Sequence, residues 1–163
     1  MGIAIRKALP EDARDYAHCR ISCWQSAYKG IIDDEYLSAM SVEEKKYVEK
    51  YKTSLINPGI CEYYCVMYSQ KMIGFLIIDM RDCDIWAIYL VEEFRGKGYG
   101  KEVMDFAVTR LKPKAKKEIS LWVFEENTAA RRFYERYRFR LDSQKKESVY
   151  GKLLIQLRYI LKV

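Results

Sequence analysis

The segment Arg95-Gly96-Lys97-Gly98-Tyr99-Gly100-Lys101 holds three of the chain's eight glycines, on alternate residues and flanked by cationic side chains. The apolar run Ile85–Val91 leads into it, and the amphipathic run Val103–Leu111 leads out. Strand, glycine turn and helix in that order expose the unpaired N–H groups of a helix N-terminus with no side chain in the way. Such a turn is a cradle for phosphate.

Spacing excludes two common owners of such a cradle. The triphosphate-binding loop requires a glycine, four residues, and then Gly-Lys-Ser/Thr, which occurs nowhere in the chain. The dinucleotide fingerprint requires G-x-G-x-x-G at the first strand–helix turn of a crossover unit. Here the third glycine comes one residue early, in mid-chain, and the strands before it are joined as hairpins.

Periodicity supplies the surroundings. Ile3 to Ala8 alternates as a first strand, and Pro10-Glu11-Asp12 opens a helix with acidic residues in its first turn. Ala13, Tyr16, Ala17, Arg20, Ile21, Trp24 and Tyr28 form one face of that helix, which Lys29-Gly30 ends. A short helix is expected over Asp33–Met40, and a capping box, Ser41 with Glu44, predicts a further helix that Asn57-Pro58-Gly59 stops. Glu62–Tyr68 and Met72–Met80 read as a hairpin, Ile119–Phe124 as a strand, and Asn127-Thr128 as the cap of a helix carrying Ala130, Phe133, Tyr134 and Tyr137 on one face. Phe139–Gln144 and Lys152–Leu161 close as a strand pair. The expected fold is α/β of the α+β type: a central, mixed, mostly antiparallel sheet of about seven strands flanked by helices, in one domain spanning residues 1–163.

Composition narrows the class. Half of the 163 residues are apolar and about a third are charged, as in a globular protein. The N-terminus lacks the apolar core of a signal peptide and no run approaches a membrane span, so a cytoplasmic protein without a membrane partner is expected. The five cysteines (19, 23, 61, 65 and 83) and the single histidine, His18, form no zinc pattern, so buried reduced thiols and no metal are expected. Residues 1–94 carry 11 Lys/Arg against 15 Asp/Glu, whereas residues 95–163 carry 18 against 8. The basic half suits a polyanion, although solvated surface accounts for such a split equally well.

The residues at this point resemble the GNAT superfamily of N-acetyltransferases. Its acyl-CoA signature, Q/R-x-x-G-x-G/A after an apolar strand, matches Arg95 to Gly100 at every fixed position. A second block, Asn127-Thr128-Ala129-Ala130-Arg131-Arg132-Phe133-Tyr134, is similar to the family's N-x-x-A-x-x-x-Y helix. Pro10-Glu11-Asp12-Ala13 opens the first helix as in many members, and Trp24, Tyr28 and Lys29-Gly30-Ile31-Ile32 resemble one bacterial branch.

The resemblance implies that strands four and five splay apart and that the pantetheine arm of acetyl-CoA lies in the gap, against the backbone of Tyr89, Leu90 and Val91. It places the pyrophosphate on the N–H groups of Gly96, Lys97, Gly98, Tyr99 and Gly100, with Arg95, Lys97 and Lys101 supplying charge. Asn127 would contact the pantetheine and Tyr134 would protonate the departing thiolate; periodicity alone puts Tyr134 in the core beside Phe133. Acetyl transfer also needs a base for the acceptor ammonium, whose ordinary pKa is ~10.4. One family solution, a glutamate five residues before the asparagine, is absent, because Trp122 stands there. Asp84 lies where other members carry an acidic base acting through water, with Glu125 and Asp79 as weaker candidates. The backbone N–H of Val91 is the expected oxyanion donor. The usual glycine after the tyrosine helix is Arg138, a departure that should cost stability rather than fold.

The implied reaction is direct transfer of acetyl from acetyl-CoA to a primary amine on a small molecule or peptide. The acidic N-terminal half, with Asp33-Asp34-Glu35 on a loop, and Trp24, Tyr28 and Trp86 favour a cationic amine beside an aromatic surface. Two other classes are kept: a non-catalytic acyl-CoA-binding regulatory protein, and a basic RNA- or ribosome-associated protein using Arg131, Arg132, Arg136, Arg138 and Arg140. No nucleic-acid motif accompanies the latter, so nucleic acid is not expected as a partner. Pairing of two copies through the C-terminal strands is an expectation from the family alone.

Overall fold

A computed structural model gives the three-dimensional structure and describes residues 2–163; Met1 lies outside the described residues. Strand β1 (Ile3–Lys7) leads through a 3₁₀ turn at Pro10–Asp12 into α1 (Ala13–Ala27), α2 (Asp34–Val42) and α3 (Glu44–Ile56). Strands β2 (Cys61–Tyr68), β3 (Lys71–Asp79) and β4 (Asp84–Leu90) follow as a meander. The remainder runs α4 (Tyr99–Leu111), β5 (Glu118–Phe124), α5 (Thr128–Arg136), β6 (Arg140–Tyr150) and β7 (Lys152–Lys162). No helix among the described residues is long and apolar enough to cross a membrane.

Local chemistry explains most of the boundaries. At the start of α1, Asp12 accepts the Leu9 N–H at 2.7 Å and is clamped by both terminal nitrogens of Arg6 at 2.7 and 2.8 Å. Asn127 caps α5 by accepting the Ala130 N–H at 3.2 Å. Asp79, at the end of β3, accepts the N–H groups of Arg81 and Asp82 at 2.8 and 2.9 Å and so turns the chain into β4. The expected capping box does not form. Ser41 lies inside α2, its hydroxyl accepts a hydrogen bond from Gln25 Nε2 at 2.8 Å, and Glu44 pairs with His18 at 3.0 Å. With both partners engaged across the interface with α1, α3 starts at Glu44 without a side-chain cap. Asp33 likewise precedes α2, and Asp34 and Glu35 form its first turn rather than a loop.

The strands form one seven-stranded sheet among the described residues, in the order β1-β2-β3-β4-β5-β7-β6. Strand alternation sends Cys61, Cys65, Phe75, Ile77 and Ala87 towards α1 and α3. It sends Tyr64, Val66, Leu76, Ile78, Ile85, Leu121 and Val123 to the other face, where Val103, Met104, Ala107 and Leu111 of α4 cover them. All five cysteines are free and buried.

The one parallel pairing, β4 with β5, extends only over Asp84↔Ser120 and Ile85↔Leu121. Beyond Ile85, β4 follows β3 and β5 follows β7, so the sheet opens as a fork. The register of β4 on β3 passes from Ile85↔Ile78 to Ala87↔Ile77, which leaves Trp86 as the extra residue of a bulge where the fork opens. At the far end of β4, Gly74 of β3 permits a close approach opposite Leu90: a Cβ on it would sit 2.3 Å from the Tyr89 carbonyl oxygen.

Helix α5 ends as expected in a left-handed residue that is not glycine, Arg138 at φ 80°. The Phe139 N–H still closes the cap on the Tyr134 carbonyl at 3.0 Å. Arg138→Gly is therefore expected to raise stability by about 1 kcal/mol, from relief of the left-handed strain. Urea unfolding of the two proteins checks this, and an unchanged or lowered midpoint would refute it.

Candidate active site

The site grows from the fork. The Val91 N–H donates to the Ile73 carbonyl of β3 at 2.8 Å. Backbone groups alternate along a strand, so those of Leu90 and Ile88 turn the opposite way, into the fork. Val91 is thus not the oxyanion donor expected from sequence, since β3 holds its N–H. The amides that face the gap belong to Ile88 and Leu90.

The glycine turn lies beyond the open end of β4. Gly96 and Gly98 adopt φ 70° and 88°, and a Cβ on either would meet nothing in the protein within 4 Å. Gly98 is the residue before α4, so the first-turn N–H groups of Tyr99 and Gly100 have no partner one turn back. Gly100 serves packing instead: a Cβ there would lie 3.5 Å from the Phe133 ring of α5. Phe94, Tyr99 and Tyr68 pack together beneath the turn, with centroids 5.2 to 6.3 Å apart. Lys97 lies 5.3 Å over the Phe94 ring and Lys101 pairs with Asp105 at 2.8 Å, both at the surface.

Arg95 differs from its expected role of supplying charge to a phosphate. Its Nε donates to the Leu90 carbonyl at 2.8 Å, and a terminal nitrogen donates to Ser26 Oγ at 2.7 Å. The guanidinium therefore ties the end of β4 to α1, and the open side of the turn is left to backbone N–H groups and the two lysines.

On α5, Asn127 uses its carbonyl oxygen for the cap. Tyr134 packs between Phe133, Phe139 and Tyr159. Burial and the neighbouring Tyr89 push its phenol well above the usual tyrosine range. Tyr134 lies on the α4/α5 side of the sheet, and Tyr89 packs on the α1 side. Tyr89 is pushed up to about 12 by burial, and its hydroxyl shares a short hydrogen bond with that of Tyr28. Tyr89 also stacks on Phe75 with centroids 5.1 Å apart.

The α1 side of the fork carries Asp84 and Trp86 of β4 with Ser120 and Trp122 of β5. Asp84 accepts from Ser120 Oγ at 2.7 Å, and burial raises its pKa above the ordinary carboxylate range. Trp86 is 55% exposed. Trp24, expected to contact an acceptor, is only 6% exposed and packs against Tyr28, Tyr150 and Arg20, which makes it a core residue. Tyr28 is buried too, and reaches the site through Tyr89. Of the weaker base candidates, Asp79 holds the β3–β4 turn and Glu125 faces Lys145 at 3.8 Å. Three contributors lay outside the sequence-based set: the Tyr89 side chain, the Ile88 amide and Trp122. Period-two alternation with Ser120 was the available signal for Trp122. The phase of β4 depends on a bulge that no residue pattern marks.

No group of three or more His, Cys, Asp or Glu among the described residues could hold a metal. The open glycine cradle, the gap-facing amides and the phenol at the fork fit the three parts of an acyl-CoA: diphosphate, amide-bearing arm and thioester.

Comparison with known proteins shows the family and the fold. Residues 24–139 match the model of the acetyltransferase (GNAT) family, and the chain belongs to that family. A Mycobacterium tuberculosis protein named a probable N-acetyltransferase is 31% identical over 147 residues, covering 87% of this chain and 82% of its own. The spermine/spermidine N(1)-acetyltransferase of Bacillus subtilis is 26% identical over 134 residues, covering 71% and 88%. The crystal structure of the PaiA N-acetyltransferase of Thermoplasma acidophilum with coenzyme A superposes over 100% of both chains with a TM-score of 0.78 at 22% identity. The protein is an acyltransferase of the N-acetyltransferase type.

Two outcomes are expected. Gly98→Ala, forced into φ 88°, should cost about 1 kcal/mol of stability and weaken coenzyme A binding in calorimetric titration; unchanged affinity would remove the turn from the donor site. Asp84→Asn should lower kcat/KM by about 100-fold or more and abolish the acidic limb of its pH profile. Because burial raises the folded-state pKa, Asp84 favours folding most at low pH and loses that contribution as pH rises through the shifted value. The substitution should therefore leave neutral-pH stability undiminished, and an unaltered pH profile would exclude Asp84 as the base.

Proposed function

We propose that the protein transfers the acetyl group of acetyl-CoA directly to the primary amine of a small cationic acceptor. The observation that carries this is the fork, which has the Tyr134 phenol on its α4/α5 side and the partly buried Asp84 carboxylate with the exposed Trp86 indole on its α1 side. Gly96, Lys97, Gly98, Tyr99, Gly100 and Lys101 bind the diphosphate, and the Asn127 amide and the gap-facing backbone of Ile88 and Leu90 bind the arm. Bound acetyl-CoA supplies an activated acetyl as a thioester.

Asp84 removes the acceptor's ammonium proton. Four residues separate it from Ile88, about 12 Å of strand, so the transfer runs through water rather than by contact. The Leu90 amide serves the arm, and the Ile88 amide holds the charge that develops on the carbonyl oxygen. Tyr134, protonated at neutral pH, returns a proton to the leaving sulfur. Direct transfer needs no cysteine nucleophile, consistent with five buried thiols.

Polyamines are the first acceptors to test, since relatives from Bacillus subtilis and Thermoplasma acidophilum are named spermine or spermidine acetyltransferases. Trp86 and Asp84 match that chemistry, an apolar chain with a cationic end. Thiol release from acetyl-CoA should be stimulated by spermidine, spermine or another primary amine in a panel. Tyr134→Phe should lower kcat by about 100-fold while leaving coenzyme A affinity intact. Release with none of the amines or peptides, or a Tyr134→Phe protein of full activity, would overturn the reading.

A further inference from the structure

Lys146 is placed unlike the other lysines of the C-terminal half. On β6 it pairs with Gln156 of β7, which pairs in turn with Phe124 of β5. That register sets it on the sheet face that carries Trp122. Its ammonium lies 4.3 Å from the centre of the Trp122 ring. Trp122 is the first residue of β5 beyond the last β4–β5 pair, Ile85↔Leu121, so the ammonium rests where the fork opens. Asp84 and Lys146 lie in each other's field, while partial burial pulls the lysine's pKa down. The other charged side chains near Asp84 are held elsewhere: Arg158 by Asp142 and Glu118 at 2.7 and 3.0 Å, and Asp79 by its turn. The neighbouring Lys145 faces Glu125, whereas no ion pair among the described residues restrains Lys146.

A primary alkyl ammonium on an aromatic face, near a partly buried carboxylate at the mouth of the fork, has the chemistry the acceptor needs. We propose that Lys146 is a self-acetylation site, modified within its own chain when no amine acceptor is present. The proposal rests on the acetyltransferase reading above. Asp84, through water, takes one proton from the ammonium, and the freed nitrogen attacks the thioester carbonyl of acetyl-CoA. A C–N bond forms, the C–S bond breaks, and the sulfur leaves as the thiol with the proton of Tyr134. The attacking nitrogen loses a second proton, which passes through solvent to restore the Tyr134 phenol, and its third proton remains as the amide N–H. The product is neutral, so the cation–π contact with Trp122 and the attraction to Asp84 are both lost.

The test is incubation of the purified protein with acetyl-CoA alone, followed by intact mass and peptide mapping. The expected result is one acetyl group, at Lys146, added at a first-order rate independent of protein concentration. It should be about 100-fold slower in Tyr134→Phe and absent from Lys146→Arg, with added spermidine slowing it in the native protein. Acetyl groups spread over exposed lysines, equal modification of Tyr134→Phe, or a rate proportional to protein concentration would each overturn the proposal. An unmodified Lys146 in protein that still releases thiol with amines overturns it while leaving the acetyltransferase function intact. Loss of both signals overturns the function as well.

Discussion

The rest of the molecule depends on the shortness of the β4–β5 pairing. Two residue pairs hold the halves of the sheet together, and past Ile85 and Leu121 the strands follow different neighbours. A strand edge left open inside a sheet presents backbone donors and acceptors that must find water or a ligand. An amide-bearing arm laid into the gap satisfies them as an added strand would. The opening also lies between two phenols on opposite faces, Tyr134 and Tyr89. Donor and acceptor can thus approach from opposite sides of the sheet.

What keeps the fork open is a set of restraints at its rim. Trp86 sits in a bulge that reverses the phase of β4, Gly74 lets β4 press on β3, and Arg95 clips the Leu90 carbonyl to Ser26 of α1. The cationic position of the acyl-CoA signature is therefore structural in this chain. With the guanidinium withdrawn, the open side of the turn presents backbone amides at the head of α4, and an anion bound there would depend more on small residues and fixed orientation than on that guanidinium.

Much of this was legible in the sequence where one residue type has one physical use. Glycines at φ 70° and 88° in an open turn, an asparagine whose carbonyl caps its own helix, and Arg138 in a left-handed cap are local facts, and local patterns found them. The failures share a different origin. Ser41 and Glu44 have the spacing of a cap, but α1 claims both through Gln25 and His18. Val91 has the right place in the chain but the wrong face, because its orientation depends on a bulge. Trp24 has the right chemistry for an acceptor surface, yet the packing of Tyr28, Tyr150 and Arg20 closes over it. Each required knowledge of a partner distant in sequence.

Net charge of the N-terminal half gives a similarly incomplete picture of the acceptor side. Its acidic balance suggests an anionic floor for a cation, but the charge behind Tyr28 and Tyr89 is positive. Arg20 donates to the Tyr51 hydroxyl at 3.0 Å, lies 4.5 Å from the Trp24 ring, and has no carboxylate partner among the described residues. Its field opposes the rise of the Tyr28 and Tyr89 phenols, and it adds, with Lys46, to the lowering of Lys50 that burial causes. An extended polycation directed towards α1 and α3 would meet that repulsion in a poorly hydrated setting, where charges interact strongly. Directed along β4 and β5, the same molecule would meet Asp84 and the indoles of Trp86 and Trp122. The cation–π contact of Lys146 with Trp122 illustrates that preference within the chain itself. On the proposed reading, the amine would be selected by aromatic faces and one partly buried carboxylate at the fork, with the acidic residues of α2 as distant steering charges.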